Sequence, residues 1–287
     1  MRRELEPWLT GRVVRSAELV DAVPGPKYAR LARAVGQRVA AVGRHGKFLL
    51  LPLEAPETGG GAARDELVIH LGMTGVVSAE PPVSHLRVVI RFDGPEPQTL
   101  YFRDVRRFGR VLVAPEGVYD GLPTLQQAGP DALAPAFTPE GFARALAHSG
   151  VAIKTALMSQ RPVAGVGNIY ADEALWRIGV HPERPARLLR RGQVEALHGA
   201  IVDVLMASLE AQGTTLHDYR TVNGAVGAYL ERLAVYGRTG RPCPRCGAAI
   251  ARIVVGARGT HLCPVCQPRP RSRRGSRAAP RRAGGRS

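Results

Sequence analysis

The chain has 287 residues, of which 45% are hydrophobic, and this is enough apolar material for the cores of two or three ordinary domains. No apolar run reaches the ~18 residues of a membrane-spanning helix, and the N-terminal sequence MRRELEP lacks the apolar stretch of a signal peptide. These features argue against a membrane protein and predict a cytoplasmic one.

The charge balance is strongly positive, with 40 basic and 24 acidic residues and a net charge of +16. The tail 268–287 contains eight arginines and no acid, so half of this excess lies outside the tail. A basic surface of this size favours a polyanionic partner, with nucleic acid the leading candidate. A GC-rich genome explains why arginine replaces lysine, but it does not explain the excess of positive over negative charge.

The N-terminal part, residues 1–125, is predicted to be a β-sandwich because it contains short strand-like runs separated by turn signals. A helix is predicted over 26–35, and the Gly-rich segment 56–64 is predicted to be a flexible loop. The predicted strands are 39–43, 47–53, 66–71, 86–92, 99–102 and 111–113.

From 130 to 235 the hydrophobic period becomes helical. Thr138 followed by Pro139 is typical of a helix start, with an N-cap and a proline at the first helical position. The long helix 193–209 carries apolar residues at 194, 197, 201, 205 and 209, and a polar, Gly-rich loop follows over 213–227. Two further helices are predicted from 153 onward and over 172–178.

All four cysteines lie close together in the pattern C-x2-C-x16-C-x2-C: Cys243, Cys246, Cys263 and Cys266. A disulfide framework is rare in the cytosol, whereas two close pairs separated by a hairpin-sized segment suit a tetrahedral Zn(Cys)4 site. We therefore predict one structural Zn²⁺ in a zinc ribbon over 236–267; a redox or accidental cluster is the alternative. The Arg-rich tail 268–287 is predicted to be disordered.

The segment VAGVGNIYADE lies between two helical patterns. Gly165 and Gly167 allow the backbone to approach a ligand, and Asn168 stands at the start of the next helix. Such a turn can present backbone N–H groups and an amide to a phosphate. A plain interhelical turn is the alternative interpretation of the same residues.

The run GVGNIYADEALW, with Lys154 upstream, resembles the helix–two-turn–helix motif of the formamidopyrimidine-DNA glycosylase and endonuclease VIII family. LGMTG at 71–75, DVRRFG at 104–109 and VYGRTGRPCPRCG at 235–247 are similar to further signatures of that family. The resemblance covers nearly the whole chain. RRELEPWLTGR and the segment 213–238 are more similar to the formamidopyrimidine branch than to the endonuclease VIII branch.

The resemblance implies an α+β multidomain protein. Residues 1–125 correspond to a catalytic β-sandwich domain with flanking helices, and 130–235 to a helix–two-turn–helix domain with a loop that covers the lesion. A C-terminal zinc finger then occupies 236–267. Double-stranded DNA is expected to bind in the cleft between the domains.

The resemblance also implies that Met73, Arg106 and Phe108 fill the gap that an extruded nucleotide leaves in the base stack. A pliant thioether, a stacking guanidinium and an aromatic wedge suit this role. Without the resemblance, Met73 and Phe108 would be interpreted as core residues.

Two residues are implied to be catalytic. Lys47 corresponds to a family lysine that contacts the phosphate on the lesion side, and Arg258 to a finger arginine that grips the phosphates flanking the lesion and is needed for strand cleavage. Further DNA contacts are implied for His70, His85, Arg107, Lys154 and Asn168. Either of the two histidines can equally be a structural histidine whose hydrogen bonds are satisfied within the protein.

The N-terminus departs from the family pattern. Family members begin MPELPEVETV; the proline amine is the nucleophile that forms a Schiff base with the sugar, and the adjacent glutamate is the acid–base group. The sequence here runs from Met1 directly into RRELEP, and no residue matches that proline or glutamate. Either the start codon is misassigned, which we prefer, or the chain is a catalytically inactive lesion-binding protein.

The function implied by the resemblance is base-excision repair. The protein is expected to remove oxidised purines (8-oxoguanine and formamidopyrimidines) from DNA and to cleave the abasic strand, although the chain as given is expected to be impaired. A non-enzymatic protein that binds lesions or abasic sites is the alternative, and a basic zinc ribbon also occurs in RNA-binding proteins. We expect a monomer in the cytoplasm, associated with the nucleoid.

Overall fold

The computed structural model describes residues 1–20, 25–55, 64–211 and 229–270. Its N-terminal part contains helix α1 and nine strands, and one 3-10 turn lies at Leu31–Ala34. The bounds are α1 Arg2–Leu9, β1 Val14–Leu19, β2 Arg38–Val39, β3 Gly43–His45, β4 Phe48–Glu54, β5 Asp65–His70, β6 Gly75–Ser78, β7 Leu86–Phe92, β8 Thr99–Asp104 and β9 Arg110–Pro115.

The strands form two antiparallel sheets that pack face to face, which confirms the predicted β-sandwich. One sheet has the order β1-β7-β8-β6, and the other has β2-β4-β5-β9 with β3 paired to β4. Alternate residues of β4 and β8, such as Leu51 and Phe102, are fully buried in the core between the sheets. Helix α1 closes one end of this core with Leu5 and Leu9.

The helix predicted over 26–35 is wrong except for the turn at Leu31–Ala34. The carbonyls of Lys27 and Ala29 accept hydrogen bonds from the N–H groups of Val111 and Val113, at 2.9 and 3.0 Å. The segment therefore runs extended along β9, because these backbone bonds replace the helical ones. Strands β1 and β6 were not predicted.

The second part of the chain is helical. Thr138 caps α3 by accepting a hydrogen bond from the Gly141 N–H at 3.1 Å, as predicted. The buried stripe of α6 follows Val194, Leu197, Ile201 and Val204, whereas Leu209 is exposed, so the predicted stripe is wrong at its end. The bounds are α2 Pro123–Gln126, α3 Pro139–Ala147, α4 Ile153–Met158, α5 Asn168–Arg177 and α6 Arg191–Glu210, with 3-10 turns at Ala186–Leu188 and Tyr229–Arg232.

The C-terminal part is a two-stranded hairpin of β10 (Ala251–Val255) and β11 (Arg258–Leu262) that follows the first cysteine pair. The hairpin tip docks on α4: a Cβ at Gly256 would lie 2.7 Å from the Thr155 hydroxyl. Gly256 also has φ +54, so glycine satisfies both the turn and the close approach. The predicted loop 213–227 and most of the segment 56–64 and of the tail lie outside the described residues.

None of the helices in the described ranges is long and apolar enough to cross a membrane.

Candidate functional site

Two loops of the sandwich, 71–74 after β5 and 105–109 after β8, lie against each other and form one surface. Buried Asp104 fastens them: its carboxylate accepts from the Thr74 hydroxyl at 2.6 Å and from the Gly109 N–H at 2.6 Å. The Arg106 N–H in turn donates to the Thr74 hydroxyl oxygen at 3.0 Å. A Cβ at Gly72 would lie 2.6 Å from the Phe108 backbone, so only glycine allows the loops to come this close.

The paired loops present three side chains that the sequence singled out. Met73 is 59% exposed and Phe108 46% exposed, so the alternative that they are core residues is excluded. The Arg106 guanidinium lies 4.9 Å from the centre of the Phe108 ring. We call Met73, Arg106 and Phe108 the wedge. Large apolar side chains that are exposed to solvent on loops fixed by hydrogen bonds are typical of a binding surface.

Lys27 also belongs to the wedge region, although no sequence pattern selected it. Its ammonium lies 5.8 Å from the centre of the Phe108 ring and donates to the Arg107 carbonyl at 2.6 Å. Arg107 itself is exposed and has φ 56, a strained backbone conformation that this hydrogen bond helps to hold. Lys27 and Arg107 therefore place positive charge beside the wedge, next to the charge of Arg106.

A tight turn at 45–47 carries Lys47 from the sandwich toward the helical part. Asp131, which is buried, binds the Arg44 guanidinium through two hydrogen bonds of 2.6 and 2.8 Å and accepts from the Gly46 N–H at 2.6 Å. The His45 ring nitrogen lies 3.0 Å from the Gly129 carbonyl. The turn is therefore fixed to the segment that leads into α3, and the Lys47 side chain starts from a defined position.

The Lys47 ammonium donates to the Val166 carbonyl at 3.1 Å, within the turn that precedes α5. The side chain is exposed to a cavity of about 790 Å³ between the sandwich and the helices, and Met1, Gly165 and Tyr170 also line it. The pKa of Lys47 is lowered to about 8, because the surrounding protein removes water from the ammonium and because Arg258 is a like charge nearby.

The positive charge of Lys47 also reaches His70 on β5. Burial first, and then the charges of Lys47 and Arg110, lower the pKa of His70 to about 4, so the ring is neutral at pH 7. The ring packs 4.5 Å from the Phe48 ring and accepts a hydrogen bond from the Gly72 N–H at 3.2 Å. His70 therefore supports the loop that carries Met73, and its contact with DNA stays a prediction.

His85 lies immediately before β7. It is exposed, has φ 58, and places its Nδ1 2.8 Å from the Ser84 hydroxyl. Its carbonyl accepts from the Asp104 N–H at 3.0 Å, so its backbone is tied to the residue that fastens the two loops.

The four cysteine Sγ atoms lie within 4.8 Å of one another. The Cys243–Cys266 and Cys246–Cys263 separations are 4.0 and 3.4 Å, close to the ~3.8 Å that tetrahedral geometry with Zn–S bonds of about 2.3 Å requires. Sulfur ligands in this arrangement fit Zn²⁺, as predicted. The ion stabilises the finger and has no open position for substrate, since four protein ligands complete its coordination.

The expectation that Lys154 contacts phosphate needs correction, because its side chain has no exposure to solvent. Its ammonium lies 2.6 Å from the Asp172 carboxylate, which is equally buried, and donates to the Thr260 hydroxyl at 2.8 Å and the Gly259 carbonyl at 3.2 Å. Lys154 therefore fastens the finger hairpin to α4 and α5. A lysine in a basic, DNA-binding sequence is expected at the surface, and no sequence pattern marked Lys154 as a buried one.

Two acidic residues of α5 complete the attachment of the finger, and the sequence analysis did not select them. Asp172 accepts from the His261 N–H at 2.8 Å. Glu173 accepts from three consecutive backbone N–H groups, 234–236, each at 2.9 Å. Their position within the NIYADE segment was the available signal, but its phosphate-binding interpretation considered only the glycines and Asn168.

Asn168 and Arg258 meet where the finger docks on the start of α5. The Asn168 amide donates to the Gly259 carbonyl at 3.1 Å, and its side-chain oxygen is buried without a hydrogen-bond partner in this structure. Arg258, one residue before Gly259, is exposed; burial is the main cause that lowers the pKa of Lys47 and of Lys154, and the charge of Arg258 adds to it. The fold thus brings Lys47, Asn168 and Arg258, far apart in sequence, to one cationic site.

Comparison with known proteins identifies the family that has this arrangement of domains. Three family models match the chain: the formamidopyrimidine-DNA glycosylase N-terminal domain over 1–111, the formamidopyrimidine-DNA glycosylase H2TH domain over 128–220, and the zinc finger found in FPG and IleRS over 240–269. The formamidopyrimidine-DNA glycosylase of Thermus thermophilus is 45% identical over 93% of this chain and 95% of its own length. The chain belongs to the formamidopyrimidine-DNA glycosylase family.

Other relatives agree with this assignment. The formamidopyrimidine-DNA glycosylase of Deinococcus radiodurans is 41% identical over 93% of this chain and 94% of its own length. Among solved structures, the MutM (Fpg) protein of Thermus thermophilus matches with a TM-score of 0.82 and 44% identity, over 93% of this chain and 95% of that one. The Lactococcus lactis Fpg bound to DNA with an abasic site matches with a TM-score of 0.78 and 30% identity, over 93% and 97%.

The family assignment confirms the predicted architecture of a β-sandwich, a helix–two-turn–helix part and a zinc finger. It also confirms the predicted Zn²⁺, since the matched finger region contains all four cysteines.

Proposed function

We propose that this protein is a DNA glycosylase with abasic-site lyase activity that removes oxidised purines, 8-oxoguanine and formamidopyrimidines, during base-excision repair. The observation that carries the proposal is the placement of the exposed wedge beside the cavity that Lys47 lines. The Gly72 N–H of the wedge loop donates a hydrogen bond to His70, and burial together with the charge of Lys47 lowers the pKa of His70. Relatives named formamidopyrimidine-DNA glycosylase support the same function.

The geometry suits a nucleotide turned out of the double helix. Met73, Arg106 and Phe108 can enter the stack and take the place of the extruded nucleotide, offsetting the lost stacking energy. A cavity of about 790 Å³ is large enough for a nucleotide and is lined by Lys47, whose charge suits phosphate. Arg258 adds a further cation from the finger, so the flanking phosphates are gripped from two parts of the fold.

In this proposal each part of the chain has its own role. We assign the wedge and Lys47 to a catalytic sandwich over 1–125, the phosphate-facing turn at Asn168 to a DNA-binding helical domain over 130–235, and Arg258 to the finger over 236–267. The partner is double-stranded DNA with an oxidised purine or an abasic site, bound by a monomer. We place the protein in the bacterial cytoplasm, on nucleoid DNA.

Base release from a duplex with a single 8-oxoguanine tests the proposal, with mass-spectrometric detection of the free base and a matched undamaged duplex for comparison. We expect release from the damaged duplex alone. Arg258→Ala should lower the release rate about 100-fold, at the lower end of the about 2.7–4 kcal/mol that one positioned donor contributes. Arg252→Ala is the matched control, because it removes another exposed arginine from the same hairpin and should change the rate less than about threefold.

The outcomes separate the candidate functions. Preferential binding of the damaged duplex without base release would overturn the enzymatic proposal and establish a non-enzymatic lesion-binding protein. Equal affinity for damaged and undamaged duplexes would overturn both. Tighter binding of structured RNA than of lesion duplex would exclude DNA repair.

A further inference from the structure

We propose that Gln160 is a positioning residue for Lys47. Its side-chain amide shares the Val166 carbonyl with the Lys47 ammonium, and it keeps that carbonyl hydrogen-bonded when Lys47 moves to a phosphate of bound DNA. The inference rests on the proposed function, from which it takes the contact between Lys47 and phosphate. It concerns a residue that no sequence motif selected.

Gln160 lies between α4 and the turn that precedes α5. It is buried, with 7% of its surface exposed, and its φ of 63 is uncommon for a residue other than glycine. Its carbonyl accepts a hydrogen bond from the Gly129 N–H at 2.9 Å, which helps to hold this strained conformation. A backbone outlier of this kind points to a role for the side chain at this place in the fold.

The side chain of Gln160 fastens the turn that precedes α5. Its Nε2 donates to the Val166 carbonyl at 2.7 Å, and its Oε1 accepts from the Gly165 N–H at 3.0 Å. The same Nε2 lies 3.1 Å from the Leu157 carbonyl near the end of α4. One amide group therefore binds two consecutive residues of the turn, and each of its two ends pairs a donor with an acceptor.

The Val166 carbonyl accepts hydrogen bonds from two side chains. The Lys47 ammonium, which lines the cavity, donates to it at 3.1 Å, and the Gln160 amide donates to it at 2.7 Å. A carbonyl oxygen has two lone pairs, so both donors can be bound at once. Val166 itself is fully buried, and its carbonyl therefore depends on donors from the protein rather than on water.

The second donor lowers the cost of moving Lys47. A buried carbonyl that is left without a donor is destabilised, and this cost would be added to the free energy of DNA binding if Lys47 were its only partner. With Gln160 in place, the carbonyl retains its shorter hydrogen bond and Lys47 gives up only the longer one, of 3.1 Å. The ammonium gains a charged acceptor in the phosphate, which binds it more strongly than a neutral carbonyl does.

The turn that carries Lys47 and the turn that Gln160 fastens are in direct contact. A Cβ at Gly46 would lie 3.0 Å from the Gly165 nitrogen, so the two backbones touch. Asp131 accepts from the Gly46 N–H at 2.6 Å and fixes the turn that carries Lys47. Because both backbones are fixed, the release of Lys47 is a motion of its side chain alone, and the carbonyl that it leaves stays in place.

A double-mutant cycle tests this role by fluorescence anisotropy, with the full zinc-loaded chain and a duplex that contains one tetrahydrofuran abasic analogue. Gln160→Met keeps the length of the side chain but removes its donor, so the carbonyl loses its remaining side-chain partner when Lys47 moves to DNA. The dissociation constant should rise about tenfold, which corresponds to about 1.4 kcal/mol. In a Lys47→Met background the carbonyl has the same partners with and without DNA, so Gln160→Met should change the dissociation constant less than about twofold.

Gln127→Met is the matched control. It removes the same amide from an exposed glutamine, which accepts from the Arg161 guanidinium at 2.7 Å, and it should change the dissociation constant less than about twofold. Equal weakening by Gln160→Met in both backgrounds would mean that this glutamine only shapes the turn, and it would overturn the proposal. An unchanged affinity of Lys47→Met would overturn it as well, because Lys47 would then not move to a phosphate.

A crystal structure of the unmodified chain with the same duplex tests the proposal without a substitution in the strained segment. The Lys47 Nζ is expected within about 3 Å of a phosphate oxygen, while the Gln160 Nε2 stays bonded to the Val166 carbonyl. A complex in which Lys47 keeps the carbonyl, or in which Gln160 has turned away from it, would contradict the proposed role.

These results are separable from failure of the proposed function. If the unmodified chain prefers the analogue duplex to an undamaged one and the cycle shows no coupling, only the role of Gln160 fails. If the chain shows no such preference, the proposed function fails, even where Gln160 and Lys47 are coupled in the cycle.

Discussion

Replacing Asp172 with asparagine removes the counter-ion of a lysine that has no exposure to solvent. In the native protein the Lys154 ammonium lies 2.6 Å from the Asp172 carboxylate, and both side chains are fully buried between α4, α5 and the finger hairpin. Asparagine still accepts the His261 N–H hydrogen bond, so the substitution changes mainly the charge. We expect the finger to detach from the helices before the rest of the fold is lost.

The size of the effect follows from the charge left behind. Breaking a buried ion pair typically costs about 3–5 kcal/mol, because the remaining ion is neither solvated nor paired. Lys154 can escape by losing its proton, which costs about 4.6 kcal/mol at pH 7 for a lysine of ordinary pKa and caps the penalty. The docking equilibrium should therefore shift by a factor of roughly 150 to 2000, and the defect should shrink as the pH rises toward 10.

Trp176 reports on this docking. Its indole N–H lies 3.4 Å from the Cys243 Sγ, and its ring packs against the finger core. In a Trp8→Phe background it is the remaining tryptophan, so its fluorescence in a urea titration follows the finger. Glu195→Gln is the matched control, because it removes a carboxylate from an exposed ion pair with Arg191 and should leave the transition nearly unchanged.

A double-mutant cycle provides the refutation. Lys154→Met removes the stranded charge, so adding it to Asp172→Asn should recover at least about 2 kcal/mol relative to the sum of the single changes. If the two substitutions are additive to within about 0.5 kcal/mol, the buried ion pair does not hold the finger, and the reasoning is wrong.

Two further predictions address the finger and the wedge. Removing zinc with a chelator should unfold the hairpin that presents Arg258 and weaken binding of abasic-analogue DNA at least 100-fold, measured by fluorescence anisotropy with metal release followed in parallel; unchanged binding would contradict the role of the finger. Phe108→Ala should weaken lesion-duplex binding by about 1–3 kcal/mol without changing the free energy of unfolding, whereas Val118→Ala, at the similar exposure of 45%, should change neither; equal effects would argue against the wedge.

The sequence by itself determined the features that depend on local spacing. Four cysteines in two close pairs specify a tetrahedral metal site whatever surrounds them, and Thr138 before Pro139 specifies a helix start through its own hydrogen bond to Gly141. Most strands of the sandwich followed from runs of β-branched and apolar residues between turns. The order of motifs along the chain was sufficient for the family.

Only the tertiary structure decided which charged residues face solvent. Lys47 and Lys154 are both lysines next to apolar runs, yet one lines a cavity and the other is fully buried. The difference arises from partners distant in sequence: the Val166 carbonyl for the first, and Asp172 with the finger hairpin for the second. Burial of a charge depends on what the fold brings next to it, and no local pattern encodes that.

The helix wrongly predicted over 26–35 has the same physical origin. Its local propensity was adequate, but the backbone of Lys27 and Ala29 gains hydrogen bonds from β9, more than 80 residues away, and these decide the conformation. The same extended path brings Lys27 next to Phe108, so one nonlocal pairing both replaced the predicted helix and placed a positive charge beside the wedge.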